Sequence, residues 1–120
     1  MINKKSILKD KSFAFALLAI KTYKHLTTNK KEFIIAKQLL RSGTSIGANI
    51  REAQNAESKA DFVHKLAISQ KECDETIYWL ELLHQSEYLT ENEFSQLYNH
   101  ANELLKMLRS SIITTKQYKS

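Results

Sequence analysis

The sequence predicts an all-α fold, an antiparallel four-helix bundle with up-down-up-down topology, as a single domain over residues 1–120. Three observations predict it. The chain has no proline and only two glycines, and because these residues cost about 3 and 1 kcal/mol inside a helix, long helices can run uninterrupted. Apolar residues recur at spacings of three and four, as on a helix face turned to a core. Short polar links separate four such segments, which is typical of a bundle.

The first two helices are expected at about residues 10–28 and 30–56. The apolar run Phe13–Ile20 continues at helical spacing through Tyr23 and Leu26. Lysines before this run resemble a signal peptide, but no small-residue cleavage site follows it, and it is shorter than the ~20 residues of a membrane span. The second helix is expected to start at Asn29, a good N-cap with Glu32 three residues on.

The last two helices are expected at about residues 59–87 and 91–114. Each follows a capping signal, Ser58 with Asp61 and Thr90 with Glu93. The chain ends, residues 1–8 and 115–120, are expected to fray. The predicted core seams of these two helices are Phe62, Leu66, Ser69, Cys73, Thr76, Leu80 and Leu83, then Phe94, Leu97, Ala101, Leu104 and Leu108, followed by Ser111 or Ile112.

Both glycines fall in the middle of the second helix, at Gly43 and Gly47. Residues four apart share one helix face, so another helix can approach closely where both side chains are missing. The alternative is that Gly43, followed by the weak helix formers Thr44 and Ser45, divides the segment into two shorter helices.

A polar stripe runs along the same segment through Ser45, Asn49 and Glu52. Its place beside Ile46 and Ile50 predicts half burial, and buried amides and carboxylates need partners. The stripe has no histidine and no nucleophile with a base, so a structural network that holds the helix register is favoured over a catalytic site. Candidate partners are Ser69, Glu72 and Thr76 on the third helix, with Arg51 or lysines nearby.

The segment Gln38–Glu52, with Ser58, Asp61–Phe62 and the step from Ser69 to Glu72 behind it, resembles a known four-helix-bundle family. That family is named after intervening sequences in bacterial 23S ribosomal RNA genes, and the wider pattern spans roughly residues 10–110. Its hallmark is Gln-Leu-x-x-(Ala/Ser)-x-x-Ser-Ile-x-x-Asn-Ile-x-Glu-Gly, matched here at Ser45, Ile46, Asn49, Ile50 and Glu52.

The resemblance implies a closed bundle that assembles into a ring of five, with no enzyme activity. The family's link to ribosomal RNA genes, and its similarity in shape to a nucleic-acid-binding accessory protein of diversity-generating retroelements, point towards nucleic acid. Two departures stand out: Ala53 replaces the usual glycine, and the stretch 27–31 lacks the usual proline. Both favour helix and leave the fold unchanged.

Metal and nucleophile chemistry find little support. Di-iron bundles need Glu-x-x-His on two helices, but Glu81–His84 and its nearest relative, Asp61–His64, lie on one predicted helix, about 30 Å apart. Cys73 falls on an apolar seam as an inert small hydrophobe. Gly43 and Gly47 lack the lysine of a phosphate-binding loop. The sequence therefore predicts no catalytic residue, metal, cofactor or small-molecule substrate.

Charge is distributed unevenly. Residues 1–60 hold twelve Lys and Arg against four Asp and Glu, a net +8, whereas residues 61–120 hold six against nine, a net −3. A basic first half can track a phosphate backbone without base specificity. Alternatively, it pairs with the acidic stretch 61–103 of a neighbouring subunit, or its lysines are simply solvated. The candidate phosphate contacts are Lys30, Lys31, Lys37 and Arg41.

These patterns predict a non-enzymatic, oligomeric interaction module with RNA or DNA as its partner. The alternative is a protein–protein scaffold or adaptor ring that binds no nucleic acid. A single cysteine, Cys73, fits a reducing compartment, so a cytoplasmic location without membrane contact is expected.

Overall fold

The computed structural model describes residues 4–117, which form four α-helices and, over that range, no strand. The helices are α1 (Lys4–Thr28), α2 (Ile34–Gln54), α3 (Lys59–Gln85) and α4 (Glu91–Gln117). Each helix packs against two neighbours, and α1 and α3 lie on one diagonal of the bundle. Consecutive helices run in opposite directions. For example, Lys65 near the start of α3 contacts Glu52 near the end of α2, and Thr76 further along α3 contacts Ser42 earlier in α2. The predicted antiparallel bundle is confirmed.

One core runs through the described part of the bundle, built from apolar side chains of all four helices. The predicted seam of α3 is buried from Leu66 to Leu83, and that of α4 from Leu97 to Leu108. Phe62 and Phe94, the first residues of the two seams, are half-buried against the core. Periodicity therefore identified the inward faces of these two helices correctly.

Both predicted capping signals on α3 and α4 form. The Ser58 hydroxyl accepts a hydrogen bond from the Asp61 backbone N–H at 3.0 Å. At α4 the bonds are reciprocal, because the Thr90 hydroxyl accepts from the Glu93 N–H at 3.2 Å and the Glu93 carboxylate accepts from the Thr90 N–H at 2.8 Å. These caps satisfy backbone donors that have no partner inside the helix.

The start of α2 differs from the prediction. Lys31 adopts a left-handed backbone with φ of 56°, so the chain cannot be helical from residue 30. The buried Glu32 carboxylate accepts from the backbone N–H groups of Ile35 and Ala36, at 3.1 and 2.7 Å. Phe33 holds the N-cap position, and the carboxylate of the preceding Glu32 supplies the capping bonds, so the predicted start at Asn29 is wrong.

The helix ends also differ from expectation. α1 is helical from Lys4, because its first turns carry no helix breaker and Leu8 is buried in the core. α4 continues to Gln117, whereas α3 stops at Gln85, two residues before Glu87 with its left-handed φ of 67°. Residues 4–8 and 115–117, where fraying is expected, are helical; residues 1–3 and 118–120 lie outside the described range.

Candidate interaction surface on the first two helices

The two glycines bring α1 and α2 close together. A Cβ atom added at Gly43 would lie 3.0 Å from the Ala19 Cβ and 3.5 Å from the Phe15 ring, and one at Gly47 would lie 3.3 Å from the Ser12 hydroxyl. α2 runs unbroken through both positions. The predicted close approach is confirmed, and the alternative of two shorter helices is wrong.

The polar stripe of α2 bonds mostly within its own helix. Ser45 donates to the Arg41 carbonyl at 2.7 Å, and Asn49 donates to the Ser45 carbonyl at 2.9 Å. Both are half-buried, as predicted, but Glu52 is exposed and pairs with Lys65 of α3 at 3.1 Å. The expectation of half burial is wrong for Glu52, because a carboxylate at the rim keeps its water as well as its partner.

The buried polar links between α2 and α3 use other atoms. Ser69 donates to the Ile46 carbonyl at 2.8 Å, and the Thr76 and Ser42 hydroxyls are hydrogen-bonded at 2.9 Å. Ser42, Ser69 and Thr76 are fully buried. Ser69 and Thr76 are predicted as partners of the polar stripe, but neither bonds to Ser45, Asn49 or Glu52, so that pairing is wrong. Ser42 is not among the predicted residues. Its spacing of three from Leu39 and four from Ile46, both core positions, is the signal that could have identified it.

The four candidate phosphate contacts divide into two groups. Lys30, Lys31 and Lys37 are exposed, and none has a carboxylate oxygen within 4.0 Å over residues 4–117. Arg41 is committed to α3, with its guanidinium 3.0 Å from Glu72 and in contact with Glu75. The prediction places Lys30 and Lys31 inside the second helix, but they lie in the connection between α1 and α2, and only Lys37 is helical. We call the three lysines the basic surface.

No chemistry-bearing cluster accompanies this surface within residues 4–117. Burial, reinforced by Asp74, raises the pKa of the Cys73 thiol to about 12, and the thiol donates to the Ala101 carbonyl at 3.1 Å. His84 lies 2.9 Å from Glu91 and stacks on a core-facing phenyl ring. Over the same range, no three His, Cys, Asp or Glu side chains are grouped so that they could hold a metal ion. Nor is any described helix both long and apolar enough to span a bilayer.

Comparison with known proteins identifies the family. A model of the 23S rRNA-intervening sequence protein family matches residues 4–110. The chain belongs to that family. The resemblance seen in the motif from Ser45 to Glu52 is thereby confirmed.

A solved relative supports both the 23S rRNA-intervening sequence family assignment and the bundle. It is a protein with unknown function from the S23 ribosomal protein family of Bacteroides thetaiotaomicron, whose crystal structure was determined at 1.70 Å. Sequence identity is 50%, the TM-score is 0.91, and the alignment covers 92% of this chain and 99% of the other. No curated protein matches the chain.

One feature of this family member is not evident from the sequence pattern. Phe13, Leu17 and Ile20 of α1 are exposed, although the spacing of the run Phe13–Ile20 predicts only a core-facing helix. α1 is apolar on two sides. The side that carries Phe15 and Ala19 is buried, and the other side is exposed. Periodicity identifies a helix in such a run but does not say which apolar side points inward.

Proposed function

We propose that this family member is a non-enzymatic, self-assembling interaction module that binds the phosphate backbone of RNA or DNA. The observation that carries the proposal is the basic surface, Lys30, Lys31 and Lys37. These lysines are exposed and have no carboxylate oxygen within 4.0 Å over residues 4–117, although Lys30 is near enough to Glu93 to help lower the pKa of that carboxyl. Unneutralised ammonium groups bind a polyphosphate chain by releasing its condensed counterions, with no need for base contacts.

The charges around the basic surface support this partner. The first half of the chain carries a net +8, and Glu72 and Glu75, the carboxylates that approach α2 beside Arg41, are already engaged by its guanidinium. One guanidinium balances only one of these two negative charges, but neither carboxylate has an oxygen within 4.0 Å of the three lysines. The name of the family refers to 23S rRNA, which belongs to the same class of anionic polymer.

Self-assembly is part of the proposal, and five is the expected number of subunits because the family resemblance implies a ring of five. A ring repeats the basic surface around its axis, so weak single contacts add up to useful avidity. Light scattering should give a mass near five times that of the 13.9 kDa chain. A stable monomer would remove assembly from the proposal.

A salt series tests the nucleic-acid partner. Binding of generic duplex RNA and DNA should weaken steeply with salt, and Lys30→Gln/Lys31→Gln/Lys37→Gln should flatten the slope by up to about 0.9 for each lysine–phosphate ion pair that the variant cannot form. The matched control removes three exposed lysines of α3 and α4, as Lys71→Gln/Lys106→Gln/Lys116→Gln. The control has the same net charge, so an equal flattening in both variants would reject a localised basic surface.

Arg41→Gln separates the two groups of basic residues. Because Arg41 is already paired with α3 carboxylates, its replacement should leave the salt slope unchanged. A change in the salt slope as large as that of the lysine triple variant would show that Arg41 also contacts phosphate.

A protein scaffold or adaptor ring is the second candidate, and the exposed apolar side chains of α1 favour it. If the basic surface instead pairs with the acidic α3–α4 half of a neighbour, the lysine triple variant should disperse the oligomer. Nucleic-acid affinity would then be negligible both before and after the change. Measuring mass and salt-dependent binding on this one variant distinguishes the two candidates.

A further inference from the structure

The outer face of α1 carries a second apolar stripe. Phe13, Leu17 and Ile20 lie at steps of four and three, and these residues are 51%, 54% and 36% exposed. Exposed lysines continue the line four residues before and four residues after, at Lys9 and Lys24. Contiguous apolar side chains on an exposed face mark an interaction site, whereas singly scattered ones need no explanation. We call these five residues the α1 stripe.

A shallow groove of about 320 Å³ borders the α1 stripe. Between α1 and α2 it is lined by small residues, among them Ala16, Gly47 and Ala48. Phe13 and Arg51 also line it, and the Arg51 guanidinium lies 5.4 Å from the centre of the Phe13 ring. A row of large side chains beside a groove of small ones is the surface that packs against another helix, ridge into groove.

The diagonally opposite corner of the bundle has complementary features. On α3, Asp74, Tyr78 and Glu81 follow one another at steps of four and three, and all three are exposed. Tyr78 is 52% exposed, and neither carboxylate forms an ion pair within residues 4–117. We call these residues the α3 stripe: an aromatic ring flanked by two free negative charges, facing away from α1 because α1 and α3 occupy one diagonal.

We propose that the α1 stripe of one copy docks on the α3 stripe of a second copy, head to tail. Tyr78 would pack against the apolar side chains of the α1 stripe. Asp74 and Glu81 would pair with the lysines at the two ends of that stripe. Because the two stripes differ, the contact is heterologous, so every copy keeps one stripe free for the next. Such contacts build a closed ring where the rotation from copy to copy closes, and an open filament where it does not. This inference rests on the self-assembly in the proposed function and names the surfaces that produce it.

Complementation between two blocked variants tests the contact. Leu17→Glu blocks the α1 stripe and Tyr78→Glu blocks the α3 stripe, so each should sediment as a monomer. A one-to-one mixture should give a species of twice the chain mass and nothing larger, because each variant retains the stripe that the other lacks. Ile113→Glu, a matched change at a residue of α4 that is 57% exposed, should leave the wild-type assembly intact.

The outcomes separate this contact from assembly itself. A monomeric wild type would reject the self-assembly on which the inference depends. If the wild type is oligomeric but the Leu17→Glu variant has the same size, the α1 stripe is not the contact surface. If the Tyr78→Glu variant still assembles, the α3 stripe is not its partner. Helical circular dichroism checks folding, and Lys24→Glu, a surface change, should also weaken assembly if Leu17→Glu proves unfolded. Unchanged assembly in Lys24→Glu would then overturn the proposal.

Discussion

The hydroxyl groups of Ser42 on α2 and Thr76 on α3 lie 2.9 Å apart, and both residues are fully buried. They are 34 residues apart in the chain. A hydrogen bond between two such side chains holds the two helices in one register, since slipping either helix strands a buried hydroxyl.

Thr76→Val should therefore lower the free energy of unfolding by about 1 to 3 kcal/mol, because it leaves the buried Ser42 hydroxyl without its partner. Adding Ser42→Ala should cost little more, since removing both partners removes the unsatisfied group. Urea denaturation followed by circular dichroism measures both variants. Asn49→Ala is the comparison: its half-buried amide bonds only within α2, so its cost should be smaller than that of Thr76→Val. A larger cost for Asn49→Ala would show that the motif amide, and not the Ser42–Thr76 pair, holds the register.

Gly43→Ala should destabilise the bundle. The added methyl group would lie 3.0 Å from the Ala19 Cβ, which is fixed to the α1 backbone and cannot rotate away. Overpacking of this kind costs about 1 to 3 kcal/mol, against a gain of about 1 kcal/mol from replacing glycine in a helix. In thermal unfolding, Ala19→Gly should cost less in the Gly43→Ala background than in wild type. Equal costs in both backgrounds would mean that the two positions do not limit the helix approach.

The Cys73 thiol should resist alkylation in the folded protein. Burial raises its pKa from 9.0 to about 12, which cuts the reactive thiolate fraction near neutral pH by about a thousandfold. Iodoacetamide should label one thiol per chain quickly in urea and very slowly without it. Rapid labelling of the native protein would show that the α3–α4 interface opens at Cys73.

The pKa of His100 should lie below 6.5, its ordinary value. Desolvation beside the Phe15 ring, 5.5 Å away, lowers this pKa, nearby Glu103 opposes the shift, and Lys11 adds to it. The native state thus resists a proton that the unfolded state accepts near 6.5, so the free energy of unfolding should fall as the pH drops below that value. Nuclear magnetic resonance titration should give a still lower pKa in Glu103→Gln and a higher one in Lys11→Gln. The opposite order would contradict the assigned charges.

Local patterns in the sequence determined most of the fold. The seams from Leu66 to Leu83 and from Leu97 to Leu108 were predictable because helical periodicity needs only the nearest neighbours along the chain. The caps at Ser58 and Thr90 were predictable for the same reason, since a capping side chain and its N–H lie three residues apart. The Ser45–Glu52 motif likewise identified the family.

The start of α2 shows where even local patterns mislead. Asn29 and Glu32 have the spacing of a capping pair, but Lys31 between them has a left-handed backbone, and no helix begins until Ile34. Glu32 then caps the helix by itself. A helix start at Asn29 and a helix start capped by the Glu32 carboxylate use the same residues, and the packing of the α1–α2 connection selects the second.

The tertiary structure alone decided which polar and charged groups meet. The positive charge of Arg41 suggests a phosphate contact, but Glu72, 31 residues away in the chain, pairs with Arg41 once α2 and α3 pack. The α1 run was apolar on two sides, so only the packing of α2 and α4 against Phe15 and Ala19 determined that Phe13 and Leu17 face outward. Helical periodicity depends on residues that are close along the chain. Which side chains pair between helices depends on how whole helices are arranged, and that arrangement exists only in the folded bundle.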